Sequence, residues 1–251
     1  LKKQKYIEFS KIEIILKNNF IPIYPFGYIL KNKKNDIVGF MGTIFSIRVF
    51  GNKEKVFCNI HTWIVDEAYR INSFLLLTTL VKNKFILTAF TPVKTLVGLL
   101  EKFGFIKNNI NYRIILLTNF LNFFKKKEFK IEKNSLTIEK LLNEKDLIIF
   151  KNYIHFPCEK FIIIDSNKPS NYIFIIATKV IKKKIKTLNI FYVSDSLLLK
   201  KEWSKISPLI SSEFKVVFCV QHYFDEKDCG IPKRIIFTKN YKKNIFIRNL
   251  N

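Results

Sequence analysis

The sequence predicts an α/β (α+β) protein built from two similar halves. Three observations predict it. Short runs rich in isoleucine, valine, phenylalanine and tyrosine are separated by turn formers, the pattern of strands. Each set of such runs leads through a polar turn into apolar residues at helical spacing. The order also repeats: three strands, a short turn, a helix opening on Ser-x-Leu-Leu or Ser-Leu-Leu-Leu, another strand. The expected domains are residues 1–122, a linker over 123–134, and residues 135–251.

In the first half, FGYILKNKKNDIVGFMGTIFSIRVFGNKEKVFCNIHTWIV reads as three strands, turning at 31–36 and 51–54. Residues 66–73 form a polar turn with one arginine and no glycine, and a helix is expected from about 71 to 81. The strand FILTAF follows. Thr91 and Pro92 then open a second helix, with threonine as the cap and proline in the first turn. Leu96, Leu99, Leu100 and Phe103 recur at helical spacing, and Gly104 closes the helix. YRIILLTNF is the next strand, and 123–134 is lysine-rich and weakly patterned.

The second half opens with one helix-like run, SLTIEKLLNEKDLIIFKNYI. The strands FIIID, YIFIIATKV and TLNIFYVSD follow. A helix starts at Asp195 or Ser196, and FKVVFCVQH is the last strand of the repeat. Asp225, Glu226 and Asp228 form an acidic loop.

At 251 residues and 48% hydrophobic, the chain can bury one large core or two modest ones. No uninterrupted apolar run is long enough to span a bilayer. Residues 1–5, LKKQK, lead into no export-signal core, so a cytoplasmic location is expected. The net charge is +24, yet only Arg48, Arg70, Arg113, Arg234 and Arg248 are arginines. Lysine, asparagine, isoleucine and phenylalanine share A/T-rich codons, and the lysines are scattered along the chain. The charge is therefore read as compositional drift and argues against a nucleic-acid partner. Cys58, Cys158, Cys219 and Cys229 contain no CxxC pair and read as reduced, buried thiols. His155-x-x-Cys158 and Cys219-x-x-His222 match no common zinc spacing, so no metal site is expected.

Gly27-Tyr28-Ile29-Leu30, Ile37-Val38-Gly39, Trp63-Ile64-Val65, Tyr69-Arg70, Leu76-Leu77 and Lys102-Phe103-Gly104-Phe105 stand in sequence in the first half. Over roughly residues 20–118 this series resembles the GNAT superfamily of acyl-CoA N-acyltransferases; the second half matches by strand order alone. The resemblance implies a mixed, mostly antiparallel sheet flanked by helices, an acyl-CoA-binding first domain and a more diverged GNAT-like second one. In the family two neighbouring strands splay apart; they correspond here to FCNIHTWIV and FILTAF. By that resemblance Trp63, Ile64 and Val65 line the pantetheine arm. Arg70, Ile71, Asn72 and Ser73 cradle the diphosphate at a helix N-terminus, where the dipole and a guanidinium favour an anion. The implied co-substrate is acetyl-CoA or another acyl-CoA, and the implied partner is a small-molecule amine such as an amino sugar.

The series departs from the family pattern where chemistry is concerned. Counting from Arg70 puts Ser73 and Leu75 at the loop-glycine positions. Counting back from Leu76-Leu77 puts Ser73 at the last of them and leaves the loop two residues short. The family's frequent tyrosine acid falls on Leu100, and a frequent asparagine on Val93. His61 is the candidate general base, since histidine titrates near neutral pH. Simple strand alternation puts Asn59, His61, Trp63 and Val65 on one face. Residues 193–196 carry neither arginine nor glycine and read as a helix cap, not a second cradle. The implied reaction is metal-free N-acyl transfer; the alternative is a GNAT-like module that binds or builds without catalysis. The acyl group, the acceptor and the oligomeric state stay open.

Overall fold

The computed structural model describes residues 21–50, 53–83, 85–90, 92–117, 128–182, 184–223, 229–231 and 239–248. Thr91, residues 123–127 of the expected linker and the acidic loop at 225–228 lie outside the described residues. The chain divides into two compact units, residues 1–109 with 244–251, and residues 110–243.

The first unit begins with three antiparallel strands, β1 (Gly27–Lys31), β2 (Ile37–Phe50) and β3 (Lys53–Val65). A 3-10 turn over Glu67–Asn72 leads into helix α1 (Phe74–Val81). Strand β4 (Ile86–Ala89) lies parallel to β3, and helix α2 (Lys94–Lys102) follows. The next strand, β5 (Ile106–Leu116), crosses into the second unit at residue 110. Its place beside β4 is taken by the last strand of the chain, β11 (Lys239–Arg248), which pairs antiparallel through Phe246↔Ala89, Ile247↔Thr88 and Arg248↔Leu87. Met41, Phe45, Cys58 and Ile60 from the sheet and Leu76, Leu77, Leu80 and Leu100 from the helices form this unit's core. Phe45, fully buried, stacks on Tyr24 at 4.5 Å and meets the edge of Phe85 at 5.2 Å, geometries that add to simple burial.

The second unit repeats the plan. A short strand β6 (Phe129–Glu132) lies within the stretch expected as linker. Helices α3 (Ser135–Leu141) and α4 (Glu144–Tyr153) precede three antiparallel strands, β7 (Glu159–Asp165), β8 (Tyr172–Lys182) and β9 (Ile185–Val193). Then come α5 (Ser196–Lys201), α6 (Trp203–Phe214) and β10 (Phe218–Tyr223), parallel to β9. β5 completes this unit by pairing antiparallel with β10, from Phe218↔Leu116 to Tyr223↔Asn111. Each half thus lends its last strand to the other unit.

Local chemistry explains where the elements differ from the expected ones. The single helix expected after residue 135 is two, because Leu142 is extended and Asn143 starts a new cap, its side chain accepting from the Asp146 amide at 2.9 Å. α2 begins at Lys94, with Val93 extended at the cap position. Its closing motif is as expected: Gly104 sits at φ 79°, its N–H donates to Glu101 O at 2.9 Å, and the Phe105 N–H donates to Leu100 O at 3.1 Å. Asp195 caps α5, accepting from the Leu198 amide at 2.8 Å. No helix among the described residues is long and apolar enough to cross a membrane.

Cys58, Cys158, Cys219 and Cys229 are all free thiols, and all but the half-buried Cys158 are fully buried. Burial pushes the Cys58 thiol up to about 12 and raises that of Cys219 as well. The folded chain therefore keeps protons that the unfolded chain releases, so stability falls as pH rises above the ordinary thiol value. Each such thiol is expected to remove about 1.4 kcal/mol per pH unit over that range. Urea unfolding at a series of alkaline pH values checks this: Cys58→Ala should flatten the slope, and an unchanged slope would contradict it.

Candidate active site

The site forms where β3 and β4 part. Their parallel pairing runs through Phe57↔Ile86, Cys58↔Leu87 and Asn59↔Thr88 and then stops, while β3 continues through residues 60–65. At the vertex the Thr88 hydroxyl donates to Asn59 Oδ1 at 3.2 Å. Beyond it opens a cavity of about 610 Å³, lined by the end of β3, the turn before α1 and the start of α2.

Six of the residues named from the sequence, Trp63, Ile64, Val65, Arg70, Ile71 and Ser73, line this one cavity. Asn72 belongs to the same 3-10 turn but is not in the lining. His61 sits outside it, on β3, two residues past the vertex. The lining also includes Phe74 at the start of α1, and Val93, Thr95, Leu96 and Leu99 of α2 and its cap. Of the helix-spaced series Leu96, Leu99, Leu100 and Phe103, the first two face the cavity, while Leu100 and Phe103 pack in the core with Val97. The walls are thus mostly apolar, with Arg70, Ser73 and Thr95 as the polar groups. The buried indole Nε1 of Trp63 has no hydrogen-bond partner.

The register of β3 corrects the expected face. Met41 pairs with Trp63 and Gly42 with His61, so Thr62 is an extra residue, a β-bulge, and its φ is 48°. A bulge shifts side-chain parity by one. Thr43↔Ile60 and Phe45↔Cys58 lie on the same face as Met41↔Trp63, packed in the core, whereas His61 shares the opposite face with Asn59 and Ile64. His61 therefore does not share a face with Trp63 and Val65. Burial pushes its imidazole below the ordinary histidine value, which keeps the ring neutral near pH 7. Its Nδ1 lies 2.8 Å from Thr62 Oγ1.

The turn at 67–72 replaces the open loop that glycines would form. The Tyr69 N–H donates to Asp66 O at 2.9 Å and the Ser73 N–H to Arg70 O at 3.1 Å, so these two amides are engaged within the turn. Arg70 is largely solvent-exposed, with Glu67 at 3.5 Å. Leu75 is not part of the cavity lining and is 44% exposed. Leu100, at the family's tyrosine position, is 1% exposed in the core.

No family model matches this sequence, and no curated protein matches it. Solved structures do. A GCN5-related N-acetyltransferase from Anabaena variabilis superposes with a TM-score of 0.66 at 10% identity, over 97% of this chain and 67% of that one. A glucosamine N-acetyltransferase region of a fungal multi-domain β-N-acetylglucosaminidase gives 0.59 at 12% identity, over 98% of this chain and 35% of that one. A GCN5-related N-acetyltransferase from Kribbella flavida gives 0.54 at 9% identity, over 97% of this chain and 70% of that one. The chain has the GNAT fold. Within that GNAT fold the two units differ at the parting of the parallel strands. In the second, β9 carries its own bulge at Phe191, whose ring stacks on His222 of β10 at 5.2 Å. The β9–β10 pairing ends at Gln221↔Ile190, just before that stack, and Asp195 uses the following turn as a helix cap.

Proposed function

We propose that this chain is a GNAT-like acyltransferase that moves an acyl group from acetyl-CoA or another acyl-CoA to an amine of a small molecule or amino sugar. The observation that carries the reading is the length of β3 beyond Asn59 that has no partner on its β4 side, bordering a cavity lined by residues 63–65 and 70–73 less Asn72. The pantetheine arm, which alternates amides and methylenes, would pair with the backbone of Trp63, Ile64 and Val65 as an added strand, its apolar parts against Ile71, Leu96 and Leu99. Arg70 and the N-terminal end of α1 would hold the diphosphate. Asn72 would stand at the rim of that contact.

Neutral His61 would take the proton from the attacking amine. The bulge at Thr62 interrupts the β2–β3 ladder at this point, and a backbone N–H released there would stabilise the oxygen of the tetrahedral intermediate. With leucine at position 100, protonation of the departing thiolate would fall to water. A second reading, a GNAT-like module without catalysis, draws support from the burial of Leu100 and the engaged Ser73 amide.

The two readings separate in one experiment. Acetyl-CoA or longer acyl-CoAs should raise the melting temperature of the full chain, and Arg70→Glu should abolish most of the rise. Acyl transfer to a panel of amines should accompany it. Binding without turnover favours the module, and no shift with any acyl-CoA ends the transferase reading.

A further inference from the structure

The imidazole of His61 lies in the space that a side chain at position 42 would occupy. Gly42 and His61 are cross-strand partners. A Cβ built on Gly42 would stand 2.5 Å from Cε1, 2.8 Å from Nε2 and 2.9 Å from Nδ1 of the ring. Real Cβ atoms do not approach so closely, so any larger residue there must move the ring. On the next strand Gly27 pairs with Gly42, and there the Phe40 ring takes the space a side chain would need, with Cε2 2.7 Å from a built Cβ. The other fixed point is Thr62, whose hydroxyl meets Nδ1 at 2.8 Å. A β-branched residue at φ 48° is unusual, because asparagine, aspartate or glycine would adopt that conformation with less strain. What threonine supplies and glycine cannot is the hydroxyl.

We infer that Gly42 and Thr62 are positioning residues for His61: Gly42 is the seat that admits the ring edge-on, and the Thr62 hydroxyl is the tether that fixes its rotation. With Nδ1 engaged by Thr62, Nε2 is then the ring nitrogen left to take the proton. This inference rests on the reading of His61 as general base, and it adds two residues whose side chains touch no reacting atom. Misplacing a catalytic group by about an ångström commonly lowers turnover by about 100-fold. Gly42→Ala is therefore expected to lower kcat by about 10- to 100-fold, with KM for acyl-CoA changed less than about 2-fold.

Thr62 gives the sharper test, because the two conservative replacements separate shape from hydrogen bonding. Valine keeps the branched shape and removes the hydroxyl; serine does the reverse. Thr62→Val is expected to lose about 10-fold or more in kcat, and Thr62→Ser to recover most of that loss. Valine keeps the same branched shape at φ 48°, so a purely structural role would leave Thr62→Val close to the native chain in kcat.

A second readout needs no turnover. The chain has 3 histidines, so imidazole ¹H–¹⁵N spectra at alkaline pH are simple, and His61 is assigned by its loss in His61→Ala. Its cross-peaks should move in Gly42→Ala, and its Nδ1 and Nε2 shifts should lose their single-tautomer pattern in Thr62→Val but keep it in Thr62→Ser. His61 signals unmoved in both Gly42→Ala and Thr62→Val would overturn the inference, as would a Thr62→Val enzyme with full kcat. If the unmodified chain transfers no acyl group at all, the proposed function fails, while the spectra still decide whether the seat and tether exist. Should Gly42→Ala fail to fold, the Val/Ser pair carries the test alone.

Discussion

Asp146→Ala is expected to lower the stability of the second unit by about 3 to 5 kcal/mol. Asp146 is 3% exposed, at the third position of α4. Its carboxylate accepts from Tyr192 Oη at 2.7 Å, from Tyr172 Oη at 2.9 Å and from Asn143 Nδ2 at 3.2 Å. Tyr172 Oη in turn accepts from the Asn143 amide at 2.9 Å. One carboxylate thus ties the start of α4 to β8 and β9. Both tyrosine hydroxyls are held in their neutral form by burial and by the adjacent carboxylate. Removing the carboxylate strands two phenols and loosens the helix cap, and each stranded group carries its own desolvation penalty. Asp146→Asn, which keeps an acceptor but adds a donor facing donors, should fall between alanine and the native residue. Denaturant titration of the full chain, followed by the fluorescence of Trp203 in the same unit, measures the loss. A change below about 1 kcal/mol would show that the network is not cooperative.

His61→Ala should lower acyl transfer by about 100- to 10,000-fold in kcat while leaving acyl-CoA binding nearly intact. The ring lies outside the cavity lining, on the face opposite Trp63 and Val65, so its removal deletes no arm contact. The pH profile has a definite sign. A general base works in its neutral form, and burial lowers the pKa of this imidazole. Activity should therefore hold as pH falls through the ordinary histidine range and drop only below it. A rate limb centred above the ordinary histidine value would point to another base. Retention of rate within about 3-fold in His61→Ala would remove His61 from the reaction.

Much of this fold can be read along the chain, and the exceptions have physical causes. β1, β2, β3, β7, β8 and β9 stand where apolar runs between turn formers put them; β7 and β8 are continuous apolar runs because both of their faces are buried, Phe161, Ile163, Ile173 and Ile175 in one core cluster and Ile162, Ile164, Phe174 and Ile176 in another. Strand β11 escaped notice, since KNYKK at its start carries charges where a strand signal would be apolar. The exchange of β5 and β11 between the units is a long-range choice that no local pattern records. At the site, Trp63, Ile64, Val65, Arg70, Ile71 and Ser73 were legible through the spacing of Trp63, Arg70 and Leu76 in a known series. Phe74 and Thr95 were not, because a helix start beside a parting of strands is visible only once the strands are placed. The bulge defeated the parity argument for His61: threonine gives no signal for a left-handed φ, and a single inserted residue reverses every side chain that follows it.

The exchanged strands also govern how the chain can be synthesised. The outer edge of β4 receives its neighbour only when residues 244–248 leave the ribosome, after the whole of 110–243 has been translated. At bacterial or eukaryotic elongation rates that interval is on the order of ten seconds. Throughout it, a nascent first half displays unpaired amides and carbonyls that a second nascent chain can capture. Fragments that stop before 244 should accordingly precipitate, and severing the chain between the halves should yield neither one as an autonomous folding piece.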